Sequence, residues 1–82
     1  MDINIIIGNG IKFYRNKKQL TQEDLAKNLG VIRTSLVQYE SGKTSIPFDK
    51  LIQLCDILEI KIDNIISDKI LNHYKQIESI YE

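Results

Sequence analysis

The chain has 82 residues, 43% of them hydrophobic, with eleven Lys/Arg balanced by eleven Asp/Glu, which makes one small domain with a marginal core. A single Cys55 and a single His73 leave no intramolecular disulfide and no plausible metal site, so Cys55 reads as a small buried hydrophobe of a reducing compartment. The zero net charge offers no bulk attraction to nucleic acid, but it is unevenly spread: residues 1–50 hold eight Lys/Arg against five acids, and residues 51–82 hold three against six.

In chain order, the apolar start at Ile3, Ile5, Ile6 and Ile7 is too short for a secretory h-region and lacks a basic lead. No run approaches the ~18 apolar residues of a membrane span, so no membrane partner is expected and the protein is expected to be cytoplasmic. A first helix is expected over residues 4–18, with Ile7, Ile11, Tyr14 and Lys18 on one stripe. Gly8 and Gly10 weaken it by about 1 kcal/mol each relative to Ala.

A second helix starts at Thr21. Thr21 with Asp24 three residues on resembles a capping box, and Glu23 and Asp24 suit the positive helix end. Leu25, Ala26 and Leu29 share a face, and Gly30 follows where a chain leaving a helix often needs positive φ. The small Ala26 suits a site where two helices cross closely. Val31, Leu36 and Tyr39 then resume a helical apolar pattern over residues 32–41, with Arg33, Thr34, Ser35 and Gln38 turned elsewhere, until Gly42 ends it. Two short helices around one tight turn form the helix-turn-helix layout, whose second helix enters the DNA major groove.

Pro47 fits the first turn of a fourth helix, which Phe48, Leu51, Ile52, Leu54, Cys55 and Leu58 make apolar over a broad, buried arc. A short fifth helix takes residues 63–66. From Ile66 onward through residues 67–82, Ile66, Ile70, Tyr74, Ile77 and Tyr81 recur at helical spacing. That stripe needs a surface to cover: its own domain or, as expected here, the same stripe of a second chain. Dimerisation is therefore assigned to Ile70, Tyr74, Ile77 and Tyr81. The organisation is all-α, with residues 1–66 as the DNA-binding domain and residues 67–82 as a C-terminal dimerisation helix.

Residues 7–66 resemble the DNA-binding domain of the lambda-repressor-like family (Cro, phage repressors and xenobiotic-response-element regulators). The resemblance is carried by IGNGIKFYR at 7–15, LTQEDLAKNLGV at 20–31, SLVQYESGKTS at 35–45 and LIQLCDILEI at 51–60. It implies a compact five-helix fold that reads a pseudo-palindromic operator in double-stranded DNA as a homodimer, in most such proteins as a repressor. It places Arg33, Thr34, Val37 and Gln38 on the base-reading face. Arg can donate twice to guanine, Gln can pair with adenine, and Thr or Val methyls can touch the thymine methyl. Gln22 and Lys43 fall at backbone-contacting positions, joined by Ser35 and Tyr39 on the recognition helix. Arg15 and Glu40 match an ion pair that ties the first helix to the recognition helix.

The chain departs from the family pattern at three positions. Ile32 stands where a Ser, Thr or Asp cap is usual, which costs about 1 kcal/mol. Glu59 stands for a Gly after the fourth helix, and Lys61 for a capping Ser or Thr. No catalytic residue set, phosphate loop, cofactor site or metal cluster is expected, and the chain is not expected to be an enzyme. The alternative function is a helix-turn-helix interaction module or antitoxin that binds a partner protein through its C-terminal helix.

Overall fold

In the computed structural model, residues 2–66 are described, and they form five α-helices with no strand among them. The expected C-terminal helix, with Ile70, Tyr74, Ile77 and Tyr81, lies outside the described residues. Helix α1 spans Ile3–Lys17, α2 Gln22–Leu29, α3 Arg33–Ser41, α4 Phe48–Leu58 and α5 Ile62–Ile65. The all-α expectation holds, with helix ends within a residue or two of those read from periodicity.

Each end has a local cause. Asp2 caps α1, its Oδ1 accepting from the N–H groups of Asn4 at 3.0 Å and Ile5 at 3.4 Å. The capping box of α2 is complete: Thr21 Oγ1 accepts from Asp24 N–H at 3.0 Å, and Asp24 Oδ2 accepts from Thr21 N–H at 3.2 Å. Hydrogen bonds from Thr21, first to its side chain and then to its N–H, hold the Asp24 carboxyl below its ordinary 3.8. Ile32 gives α3 no side-chain cap, as its identity implies. Pro47 sits one residue before α4, as its N-cap, and not inside the first turn.

The C-termini of α2, α3 and α4 follow one pattern, a left-handed cap residue. Gly30 leaves α2 at φ 75°, and the Val31 N–H then reaches the Ala26 carbonyl at 3.0 Å. Gly42 does the same after α3 at φ 76°, with Lys43 N–H on the Gln38 carbonyl at 3.0 Å. Glu59 adopts the same left-handed conformation after α4, at φ 56°, and Ile60 N–H meets the Cys55 carbonyl at 3.0 Å. The missing glycine therefore leaves the turn intact at a strain of roughly 1–2 kcal/mol. Lys61 has no acceptor to cap α5; Asn64 Oδ1 accepts the Lys61 N–H at 2.8 Å in its place.

The core is built from Ile11, Leu25, Ala26, Leu29, Leu36, Leu51, Leu54, Cys55, Leu58 and Ile65. Helix α1 packs on α3 and α5, α2 packs on α3 and α4, and α4 packs on α5. Burial pushes the Cys55 thiol upward, so the sulfur stays protonated and packs as a hydrophobe. The broad apolar arc of α4 is only partly covered. Leu51, Leu54, Cys55 and Leu58 face inward, whereas Phe48 is 69% exposed and Ile52 45% exposed. That corrects the expectation of a largely buried helix: the arc is wider than the surface that α2 and α5 present to it.

Gly8 has a packing role that its propensity does not show. A Cβ built there would stand 2.5 Å from the backbone carbonyl oxygens of both Tyr39 and Glu40. Helices α1 and α3 thus meet backbone to backbone, and the intrinsic penalty of glycine in a helix is offset by a contact no larger residue permits.

Candidate functional site

The site begins with how α3 is held. Arg15 of α1 and Glu40 of α3 are 8% and 6% exposed. Arg15 Nε donates to Glu40 Oε2 at 2.6 Å and Nη2 donates to Oε1 at 3.1 Å, a bidentate pair. Arg15 Nη1 donates to the Leu20 carbonyl at 2.8 Å, so the same guanidinium also fixes the approach to α2. The expected structural ion pair is present, and no buried side-chain polar atom among the described residues lacks a partner.

Gln22, the first residue of α2, extends this network. Its Nε2 donates to Glu40 Oε1 at 3.2 Å, and its Oε1 accepts from Arg33 Nη2 at 3.5 Å. One chain of polar groups therefore runs from the buried pair to an exposed arginine at the start of α3. In this arrangement the Gln22 side chain is committed to protein partners. What remains at that helix start for an anion is the N–H groups of Gln22 and Glu23, since the Asp24 N–H is bonded to Thr21 Oγ1.

The outward face of α3 is concave. Arg33, Thr34, Val37 and Gln38 line one shallow depression of about 480 Å³, together with Ser41 and Lys43. All four expected base readers are brought together there, with the expected backbone contact Lys43 at the rim. Val37 and Ser41 also line an adjoining depression with Lys12, Gln22 and Glu40. Tyr39 is half-buried and packs against the core, and Ser35 is half-buried in the first turn; neither lines the depression. Ile32, the N-cap of α3, is 70% exposed and does not line the depression.

Several groups around the site had no signal in the sequence. Lys12 of α1 lies next to Gln22 and Val37, a position that depends on how α1 crosses α3. Lys50 Nζ donates to the Leu29 carbonyl at 3.1 Å, so a residue of α4 satisfies the end of α2 just before the turn. Thr44 Oγ1 donates to Gln38 Oε1 at 3.1 Å across the loop after α3. The surface offers hydrogen-bond donors at Arg33, Lys43 and Gln38, the hydroxyl of Thr34 and the methyls of Val37, while the Ser41 hydroxyl is taken by the Gln38 carbonyl at 3.1 Å. This set suits the edges of base pairs and the phosphates beside them.

Comparison with known proteins agrees with this geometry. Residues 11–65 match the family model described as Helix-turn-helix. The chain is 39% identical over 57 residues to an uncharacterized HTH-type transcriptional regulator of Methanocaldococcus jannaschii, covering 70% of this chain and 86% of that protein. It is 32% identical over 74 residues to the antitoxin PezA of Streptococcus pneumoniae, covering 89% of this chain but 47% of the antitoxin. The fold is similar to that of the restriction-modification controller protein C.AhdI from Aeromonas hydrophila, at a TM-score of 0.71 and 24% identity over 76% of this chain and 94% of the controller. It is also similar to the clp gene regulator ClgR of Corynebacterium glutamicum, at a TM-score of 0.74 and 20% identity over 78% and 83% of the two chains.

Proposed function

The chain belongs to the helix-turn-helix family, and on that footing we propose that it is a DNA-binding transcriptional regulator that reads a pseudo-palindromic operator as a homodimer. The observation that carries the proposal is the gathering of Arg33, Thr34, Val37 and Gln38 on the outer face of α3, with Lys43 at the rim. Helix α3 enters the major groove with those four side chains toward the bases. Lys43 and the first N–H groups of α2 meet the phosphates on either side. The buried Arg15–Glu40 pair holds α3 against α1, so the base-reading face is preorganised.

One recognition helix per chain makes too little contact for tight binding, and two half-sites about one helical turn apart, ~34–36 Å, supply the rest. The apolar stripe Ile70, Tyr74, Ile77 and Tyr81 is our candidate for the surface that joins the two chains. In that case Ile77→Asp yields a monomer in sedimentation, while an unchanged dimer places the interface elsewhere. Repression follows when such an operator overlaps a promoter.

The experiment is binding selection on random duplex DNA. Enrichment of a symmetric sequence with two half-sites is the expected result, and enrichment no better than a scrambled-protein control overturns the proposal. A second reading is favoured by one observation, the similarity to an antitoxin across 89% of this chain: the protein also binds a partner protein. Co-purification of one stoichiometric partner from the native host supports that reading, and its absence removes it.

A further inference from the structure

Gly42 turns the chain back over the last turn of α3, and the result is a cluster of bonds on a single residue. The N–H groups of Lys43 and Thr44 both point at the Gln38 carbonyl, at 3.0 and 3.4 Å. The Thr44 hydroxyl then donates to the Gln38 side-chain oxygen at 3.1 Å. The main chain of the loop thus sets the place of the hydroxyl, and the hydroxyl sets the orientation of the Gln38 amide. Thr44 lies beyond α3, is exposed, and does not line the depression that holds the base-reading side chains.

The orientation matters because a glutamine amide has two different ends. A free amide pairs with adenine by offering both at once, Oε1 accepting from N6 and Nε2 donating to N7. Oε1 keeps a second lone pair, but its bond to Thr44, which lies outside the depression, draws that oxygen toward the loop and leaves Nε2 with its two N–H groups as the end available to the groove. A donor-only group is matched by the base that presents two adjacent acceptors in the major groove, which is guanine with N7 and O6.

We propose that Thr44 is a positioning residue for sequence specificity: its hydroxyl fixes the Gln38 amide as a donor toward the groove and so selects guanine over adenine at one base pair of each half-site. The proposal rests on the DNA-binding reading above and deepens it.

The test is parallel selection on random duplex DNA with the wild type, Gln38→Ala, Thr44→Val and Thr44→Ser. Gln38→Ala identifies the base pair that Gln38 reads, as the position whose preference disappears. The wild type is expected to prefer guanine there. Thr44→Val, which keeps the shape and removes the hydroxyl, lowers the guanine-over-adenine ratio at that pair on the order of tenfold and leaves the other positions unchanged. Thr44→Ser, which keeps the hydroxyl, retains guanine. Four outcomes overturn the proposal while the DNA-binding reading stands: a wild-type preference for adenine at that pair, a Thr44→Val preference identical to the wild type, a uniform loss of binding in Thr44→Val at every position, or no position that depends on Gln38. No enrichment by the wild type overturns the DNA-binding reading itself, and this proposal with it.

Discussion

Removing Arg15 is the sharpest structural perturbation available in this fold. The guanidinium makes two charge-assisted bonds to Glu40 and one to the Leu20 carbonyl, all from a position only 8% exposed. In Arg15→Met the aliphatic volume is largely kept, while Glu40 stays buried with one remaining partner, the Gln22 amide at 3.2 Å. Breaking a buried pair from one side costs about 3–5 kcal/mol, because the surviving charge is left poorly solvated. A chain of this size has a total stability of about 4–12 kcal/mol, so the variant loses a large fraction of it. The double variant Arg15→Met with Glu40→Leu removes the stranded charge and recovers most of that loss. The assay is urea unfolding followed by far-ultraviolet circular dichroism. With slopes of about 1–3 kcal/mol per molar urea, the single variant shifts the midpoint down by at least about 1 M. A loss below about 1 kcal/mol refutes the reasoning, since the pair would then behave like one on the surface.

Three further outcomes are expected. Gly8→Ala lowers stability by about 1–3 kcal/mol despite raising helix propensity, because the methyl meets two backbone carbonyls at 2.5 Å; thermal melts that show no loss contradict that close approach. Because the folded Asp24 carboxyl lies below its ordinary 3.8, its stabilising effect is complete above that value and fades as pH falls through the folded value. The difference in urea midpoint between wild type and Asp24→Asn is therefore constant from neutral to mildly acidic pH and shrinks below 3.8. Arg33→Ala costs about 1–3 kcal/mol on the selected operator and relaxes preference at one base pair, whereas Lys43→Ala weakens all sequences alike and lowers the slope of affinity against salt by about 1. Equal losses on specific and random DNA for Arg33→Ala move that residue to the phosphate-contacting group.

How much of the molecule was legible in its sequence follows the range of the interactions. The Thr21–Asp24 box and the glycine exits at Gly30 and Gly42 are set within five residues, and each appears where the sequence places it. Helical periodicity turns Arg33, Thr34, Ser35 and Gln38 away from Leu36, and three of these line the depression; Ser35 is half-buried instead, and Val37 joins the face through the resemblance. The Arg15–Glu40 pair spans 25 residues and was reached through the resemblance, not through spacing. The bond from Lys50 to the Leu29 carbonyl, the place of Lys12 beside Gln22, and the close approach at Gly8 depend on crossing angles that no local pattern encodes. Phe48 and Ile52 show the converse: hydropathy marks a side chain as fit for burial but does not say whether a neighbour arrives to cover it.

The central claim is that DNA meets the protein at the outer face of α3. Amide chemical-shift mapping by NMR, with the selected duplex added to the labelled protein, tests it residue by residue. The expected result is that the largest shifts fall on Gln22, Arg33, Thr34, Val37, Gln38 and Lys43, with little change along α4. Shifts centred on Phe48 and Ile52, with the α3 face unmoved, contradict it.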